Sequence, residues 1–523
     1  VDGSQNVAIG SQAIGGTLGT TADNSSDLIA IGYQALGGDW ENVSLTDNIA
    51  IGTSAMGGAI NGAINCIAIG RETLDGALTT GANGTVGIGT QALKYLTTGA
   101  SNIAIGFRSL YVHTTGARNI AIGELTMTDT NAGDNSLSSA DNVFIGYNAG
   151  GGTWTDAASN QNIGIGTNVL NAAMDGALNN TAVGHGSAGA ITSGDSNSIF
   201  GYLAGAAITT GGNNVIIGAS AGDGFTANTT MTLVGALAGT SINSNGSNGT
   251  VAIGYNALGA LVSGGSNTAV GTNAGDALTI GAENVALGTN ALGAEVEGVS
   301  NTAIGYDALK IANAGGSDGG VTTTGNTAIG TQAGNALTTG KFNTFLGAGT
   351  DPSANSGENQ TAIGFGTTGV ANDSVTLGNG DVTAVYMNQN STAKVHAGEA
   401  AFGGDVVVTG KLTATSKSFL IDHPTKKNKK LEHGSLEGPE NGVYVRGKVI
   451  DDNIIELPRY WIGLVDEDSI TVQLTSIGKF MKLYVKEIKD NKVYVEKSGF
   501  GKPSFFYNVY GERKDIDKMI VEY

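Results

Sequence analysis

Asp422, His423, His433, Ser435, Glu437 and Glu440 lie close together in this 523-residue chain, and a Ser-His-acid set is the chemistry such residues could do. A triad, however, is defined by geometry, and the strained turn that presents a hydrolase serine needs a Gly-x-Ser-x-Gly phrase that this segment lacks. The bland reading makes Asp422 and His423 a turn before Pro424, with Glu437 and Glu440 pairing with Arg446 or nearby lysines. A second chemistry is binding by aromatic faces. Tyr460, Trp461, Phe505 and Tyr507 are the candidate receptor-binding residues, although aromatics serve cores as readily as contacts. The Asp129–Asp141 loop offers oxygen ligands to calcium without the EF-hand spacing. Five histidines and the single Cys66 leave no Cys- or His-based metal motif, and no cofactor is expected.

Composition divides the chain that must position these groups. Glycine supplies 85 residues, and 75 of them precede residue 405. That first part holds 7 basic against 27 acidic residues, a formal charge of −20; the remainder holds 19 basic and 18 acidic residues and four of the five prolines. A surface so acidic argues against nucleic acid and anionic membrane as partners. No apolar run approaches the roughly 18 residues of a membrane helix, so membrane insertion is not expected. Scarce proline excludes collagen. A secreted or particle-borne structural protein, not an enzyme, is the expected class. Asn24, Asn42 and Asn228 open glycosylation sequons.

A five-residue phrase recurs through residues 1–380: Asn, any residue, Ala, an aliphatic, Gly. Clean copies are Asn6–Gly10, Asn48–Gly52, Asn102–Gly106, Asn119–Gly123, Asn301–Gly305 and Asn326–Gly330. Counting the closing glycine gives 21 anchors, and ten of the 20 intervals are 17 residues. A fixed phrase at a variable interval is a solenoid with loop insertions, here at Asp129–Asp141 and Ala312–Thr324. The aliphatics flanking the central Ala share a face at the strand period of two, which leaves a small face for close packing. A second strand is expected after each glycine, as at Tyr33–Leu36. Thr-Thr-Gly turns at Gly99, Gly116, Gly211 and Gly340 are expected to use positive φ. Cys66 is read as replacing a small residue in a buried position. In-register Asn side chains are expected to stack as a ladder along the turns. The expected fold is all-β: a parallel β-solenoid of about 21 coils, roughly 100 Å long at the strand spacing.

Ser101-Asn-Ile-Ala-Ile-Gly106 and its copies resemble the head repeats of YadA-like trimeric autotransporter adhesins. The resemblance implies a left-handed β-roll and a homotrimeric fibre, with small residues toward the three-fold axis. It also implies a membrane β-barrel anchor, which is not expected in this chain. Residues 381–416, including Asp405–Leu412, read as a β-rich neck. Residues 417–523 read as a compact β domain, with strands at Gly442–Ile450, Ser469–Ile477, Lys482–Ile488, Lys492–Glu496 and Phe505–Tyr510 and a tight turn at Asp490-Asn491. Lys417–Pro424, Gly434–Glu440 and Leu457–Trp461 resemble a C-terminal domain of marine tailed-phage tail-fibre proteins. That resemblance implies a tail fibre or virion appendage for host attachment. Its implied partners are itself, a host-surface glycan or protein, and other tail or baseplate proteins. A bacterial extracellular adhesin or surface filament subunit is the alternative.

Overall fold

The computed structural model describes residues 4–16, 24–40, 43–130, 138–313, 322–385, 406–407, 418–434, 440–516 and 518. It is all-β apart from short helical turns and divides into two compact units, Val1–Ala393 and Lys394–Tyr523. The first is a parallel β-solenoid of about 19 turns, built on a 21-stranded sheet. Each strand is three or four residues long and ends one residue before an anchor glycine. Neighbours pair in parallel and in register, so that Ile29-Ala30-Ile31 lies on Ile49-Ala50-Ile51, aliphatic on aliphatic and Ala on Ala.

The strand period decides which residue goes inside. In Ile49-Ala50-Ile51 the central Ala is buried and both isoleucines are half-buried, a pattern most rungs share. The alanines therefore fill the chain's own core, and the aliphatic pair faces out. This corrects the expected placement, in which the small residues faced a neighbouring subunit. The core runs as one cluster from Leu28 to Ala362. At one rung a larger residue enters and the next shrinks: Phe144 pairs with Gly164, at which a methyl would come within 2.6 Å of the Phe144 ring.

The anchor glycines have φ between 121° and 143° in every rung from Gly10 to Gly364, including Gly52, Gly106, Gly123, Gly305 and Gly330. A Cβ at Gly32 would sit 2.6 Å from the carbonyl oxygen of Gly52, so both the dihedral and the stacking require glycine. The Thr-Thr-Gly expectation fails on the dihedral. Gly99, Gly116, Gly211 and Gly340 do not have positive φ. They are glycine because a side chain would meet a carbonyl of the adjacent turn, and the left-handed residue comes two positions later, at Ser101, Arg118, Asn213 and Phe342.

The segment after each anchor is not a second strand. Gln34 and Leu36 take φ of 54° and 48°, and the stretch is a run of turns. Its backbone still stacks: Gln34 N–H donates to Ser11 O on one side, and Leu36 N–H donates to Ala55 O on the other.

The asparagine ladder forms as expected. Asn102 Oδ1 accepts from the N–H (2.9 Å) and Nδ2 (3.1 Å) of Asn119, while Asn102 Nδ2 donates to Gly116 O at 2.8 Å. Asn119 repeats this with Asn142 and Ser139 O. Asn301 Oδ1 accepts from Asn326 N–H, and Asn326 Oδ1 accepts from Asn343 N–H, each at 3.0 Å. Asn6 and Asn48 accept from Leu28 and Cys66 N–H in the same way. Cys66 thus occupies a ladder position and not a small-residue position. It is buried, its Sγ reaches Ile64 O and Ala82 O at 3.4 Å, and burial pushes the thiol up.

In the second unit, two three-stranded antiparallel sheets pair as Gly442–Val449, Phe505–Glu512, Thr471–Ser476 and as Ile454–Glu456, Lys492–Lys497, Leu483–Lys489. The five expected strands all form. Asp490 and Asn491 take φ of 54° and 58°, the left-handed pair that a two-residue hairpin turn needs. A further hairpin, Ser418–Asp422 with Lys430–Gly434, was not expected. Trp461, Phe505, Val493, Val495 and Val509 anchor the core. The expected neck lies mostly outside the described residues, and Val406 and Val407 form no strand.

Candidate attachment surfaces

Position in the coil sets the chemistry of the solenoid surface. The residue before each anchor glycine turns an apolar column outward, with Ile165, Ile217, Ile253, Ile329 and Leu346 each more than a third exposed; the other outward column carries Ile163 and Val215 but is Thr or Ser in most rungs from Thr181 onward. Along 21 strands this apolar column runs for roughly 100 Å at the strand spacing.

A second line runs beside it, at the residue that follows each anchor glycine. Tyr147, Tyr202, Tyr255, Tyr306 and Phe365 occupy it after every third strand and are 48–77% exposed. Three strand spacings separate these rings by roughly 14 Å. The intervening positions carry Thr167, His185, Ala219, Ala236, Thr272, Thr289, Thr331 and Ala348, all smaller than the rings they separate. His185 stacks on Tyr202 at 5.5 Å. The next residue along supplies amides: Asn148 Nδ2 donates to Asn168 Oδ1 at 2.9 Å, Asn256 to Asn273 at 3.2 Å, and Asn290 to Asp307 at 2.9 Å. Flat apolar faces alternating with small residues, beside a line of amides, suit a polyhydroxylated ligand that offers both C–H faces and hydroxyls.

The four aromatics expected to bind in the C-terminal unit divide. Trp461 and Phe505 are buried, at 1% and 0% exposure, and belong to the core, which corrects their reading as contact residues. The reason is strand alternation: Phe505 points in, and the adjacent Phe506 is 53% exposed. Tyr460 is half-buried, edge-on to His423 at 6.4 Å. Tyr507 lines an open groove of about 340 Å³ with Arg446, Gly447, Lys448, Phe506 and Asn508. A Cβ at Gly447 would meet the Tyr507 hydroxyl, so glycine keeps the groove open.

Two of the suspected hydrolytic residues have local work. Asp422 pairs with Lys430 at 2.6 Å, and His423 Nδ1 accepts from Thr425 and Lys426 N–H at 3.2 and 3.1 Å, closing the turn at Pro424. Ser435 and Glu437 lie outside the described residues, as do residues 131–137 of the expected calcium loop. Asn228 is buried, so its sequon is closed to a glycan in the folded chain.

No family model, curated protein or solved structure matches the chain. Function must therefore come from the surfaces. Of these, the aromatic line was missed at the sequence level. Its signal is the residue after each anchor, which shows its period only when tabulated coil by coil.

Proposed function

We propose that this protein is a homotrimeric attachment fibre, a phage tail fibre or virion appendage whose left-handed roll of about 21 coils presents repeated weak contacts to a host surface. The observation that carries this reading is the aromatic line. Equivalent rings at a constant spacing on a hydrogen-bonded solenoid turn one weak contact into many. Linked contacts raise avidity by orders of magnitude without any single strong site. The apolar column supports self-association, because three such columns facing one axis would remove their exposed aliphatic side chains from water. The C-terminal groove at Tyr507 is a second contact candidate. A bacterial surface adhesin is the alternative reading, favoured by the Ser101–Gly106 phrase and its copies.

Native mass spectrometry of the full chain tests assembly. A trimer is expected, and a monomer at micromolar concentration overturns the fibre reading. A glycan array probed with the intact chain tests attachment. Binding to several glycans is expected, and silence across the array removes carbohydrate as the ligand class.

A further inference from the structure

The solenoid unit is almost devoid of basic residues, yet Arg71, Lys94 and Arg108 come together on three successive rungs. Glu72 joins them. Its carboxylate accepts from Arg71 Nη1 at 3.4 Å, Gln91 Nε2 at 2.8 Å and Lys94 Nζ at 2.6 Å. Gln91 Oε1 in turn accepts from Arg108 Nε at 2.8 Å. The Lys94 and Gln91 hydrogen bonds, the Lys94 one foremost, hold Glu72 down at about 2, so it stays ionised and the relay stays fixed. Three rings wall the cluster. Tyr95 and Tyr111 meet edge-on at 5.2 Å, and the Arg108 guanidinium lies 5.2 Å from the Phe107 centroid and 4.9 Å from that of Tyr111.

Arg108 is thus aimed by one hydrogen bond and two rings, while its Nη1 and Nη2 donate no hydrogen bond among the described residues. Arg118 shows what a satisfied guanidinium does elsewhere on the solenoid. It forks onto Asp141, Nε to Oδ1 at 2.6 Å and Nη2 to Oδ2 at 2.7 Å. A planar fork prefers a planar carboxylate, and orienting it in advance reduces the entropy lost on binding.

We propose that Arg108, with Lys94, Tyr95, Phe107 and Tyr111, forms a site for a carboxylate-bearing sugar of an acidic glycan. The carboxylate takes the free side of the Arg108 fork, and the pyranose lies against the rings. The Arg108 guanidinium supplies charge complementarity at short range. The acidic remainder of the unit is screened from a single sugar bound here beyond ~8 Å at physiological salt, but repels a long polyanion that would have to lie along it. Specificity for one acidic residue, and not for a long polyanion, follows from this contrast. The assignment rests on the attachment reading and deepens it.

Binding of the full chain to 3′-sialyllactose, lactose, lactose 3′-sulfate and inorganic phosphate, measured by calorimetry or saturation-transfer NMR, tests the site. Sialyllactose is expected to bind more tightly than the other three. Arg108→Gln is expected to weaken it roughly tenfold or more, and Arg108→Lys, which keeps the charge and loses the fork, nearly as much. Arg118→Gln, at a satisfied exposed pair, is expected to leave it unchanged. Equal binding of lactose, a preference for sulfate or phosphate, or an Arg108→Gln protein that binds normally each overturns the proposal. If the chain binds neutral glycans on the array but not sialyllactose, this site fails and the attachment reading stands. If it binds no glycan at all, this site and carbohydrate as the ligand class both fail, and attachment through a protein receptor is left.

Discussion

The two units of this chain reach a β structure by opposite routes. In the solenoid, each residue's environment is set by its place in the coil, and the same few places recur from Gly10 to Gly378. Neighbouring rungs interlock through backbone atoms: stacked glycines, alternating N–H donors and the Asn amides. In the C-terminal unit, environment is set by alternation along five longer strands and by one side-chain core around Trp461 and Phe505. Damage should therefore stay local in the first unit and be global in the second.

The sharpest test of that contrast is a pair of glycine substitutions. At Gly201, φ is 143° and an added Cβ would strike the backbone of Gly218, so Gly201→Ala should cost about 5 kcal/mol. Gly478 also has positive φ, but nothing lies within 4 Å of its missing Cβ, and Gly478→Ala should cost only about 1 kcal/mol. Hydrogen exchange should show Gly201→Ala opening the rungs around residues 184–235 and leaving distant rungs protected. Uniform loss along the solenoid would break the comparison.

Next in size are Phe345→Ala and Phe505→Ala, which empty fully buried sites of equal chemistry at about 4 kcal/mol each. The first should loosen only rungs near residues 327–363. The second should unfold the C-terminal unit as a whole, seen as loss of protection in every strand from 442 to 512. Equal reach for the two would remove the distinction between local and global cores.

The smallest effect is a pH response confined to one unit. His113 is buried, with Nδ1 2.8 Å from Thr130 Oγ1 and Nε2 2.8 Å from Gly116 O, and burial pulls it down to about 4. The unfolded chain therefore binds more protons between about pH 6.5 and 4. Stability around this rung is full above pH 6.5 and falls by roughly 3 kcal/mol as pH drops through that window. Hydrogen exchange at residues 110–119 should quicken over that range in the native chain and stay flat in His113→Gln.

Legibility in the sequence follows the same division. Gly10, Gly52 and Asn102 could be read because stacking demands one residue type at every rung. The alternation of Lys482–Ile488 and the Asp490-Asn491 turn followed from strand and hairpin rules. Gln34 and Leu36 could not be read, since nothing in their side chains announces left-handed φ. Phe505 and Phe506 were ambiguous because two adjacent aromatics leave the phase of the strand open. Cys66 was misplaced because, at a ladder position, its backbone N–H and not its side chain meets Asn48. The Arg108 cluster escaped notice because its parts are 37 residues apart in sequence, from Arg71 to Arg108, and only the coil brings them together.

From Tyr147 to Phe365 the aromatic line recurs every third rung, so the surface there repeats in units of three coils, not one. A lineage that gains or loses a single coil by unequal recombination keeps the fold, since each rung accepts any neighbour of its kind. It loses the beat, placing two rings nearer or farther than the rest. Duplication in triplets lengthens the solenoid and preserves the rhythm. The even spacing of Tyr147, Tyr202, Tyr255, Tyr306 and Phe365 is the pattern that growth in such triplets would leave.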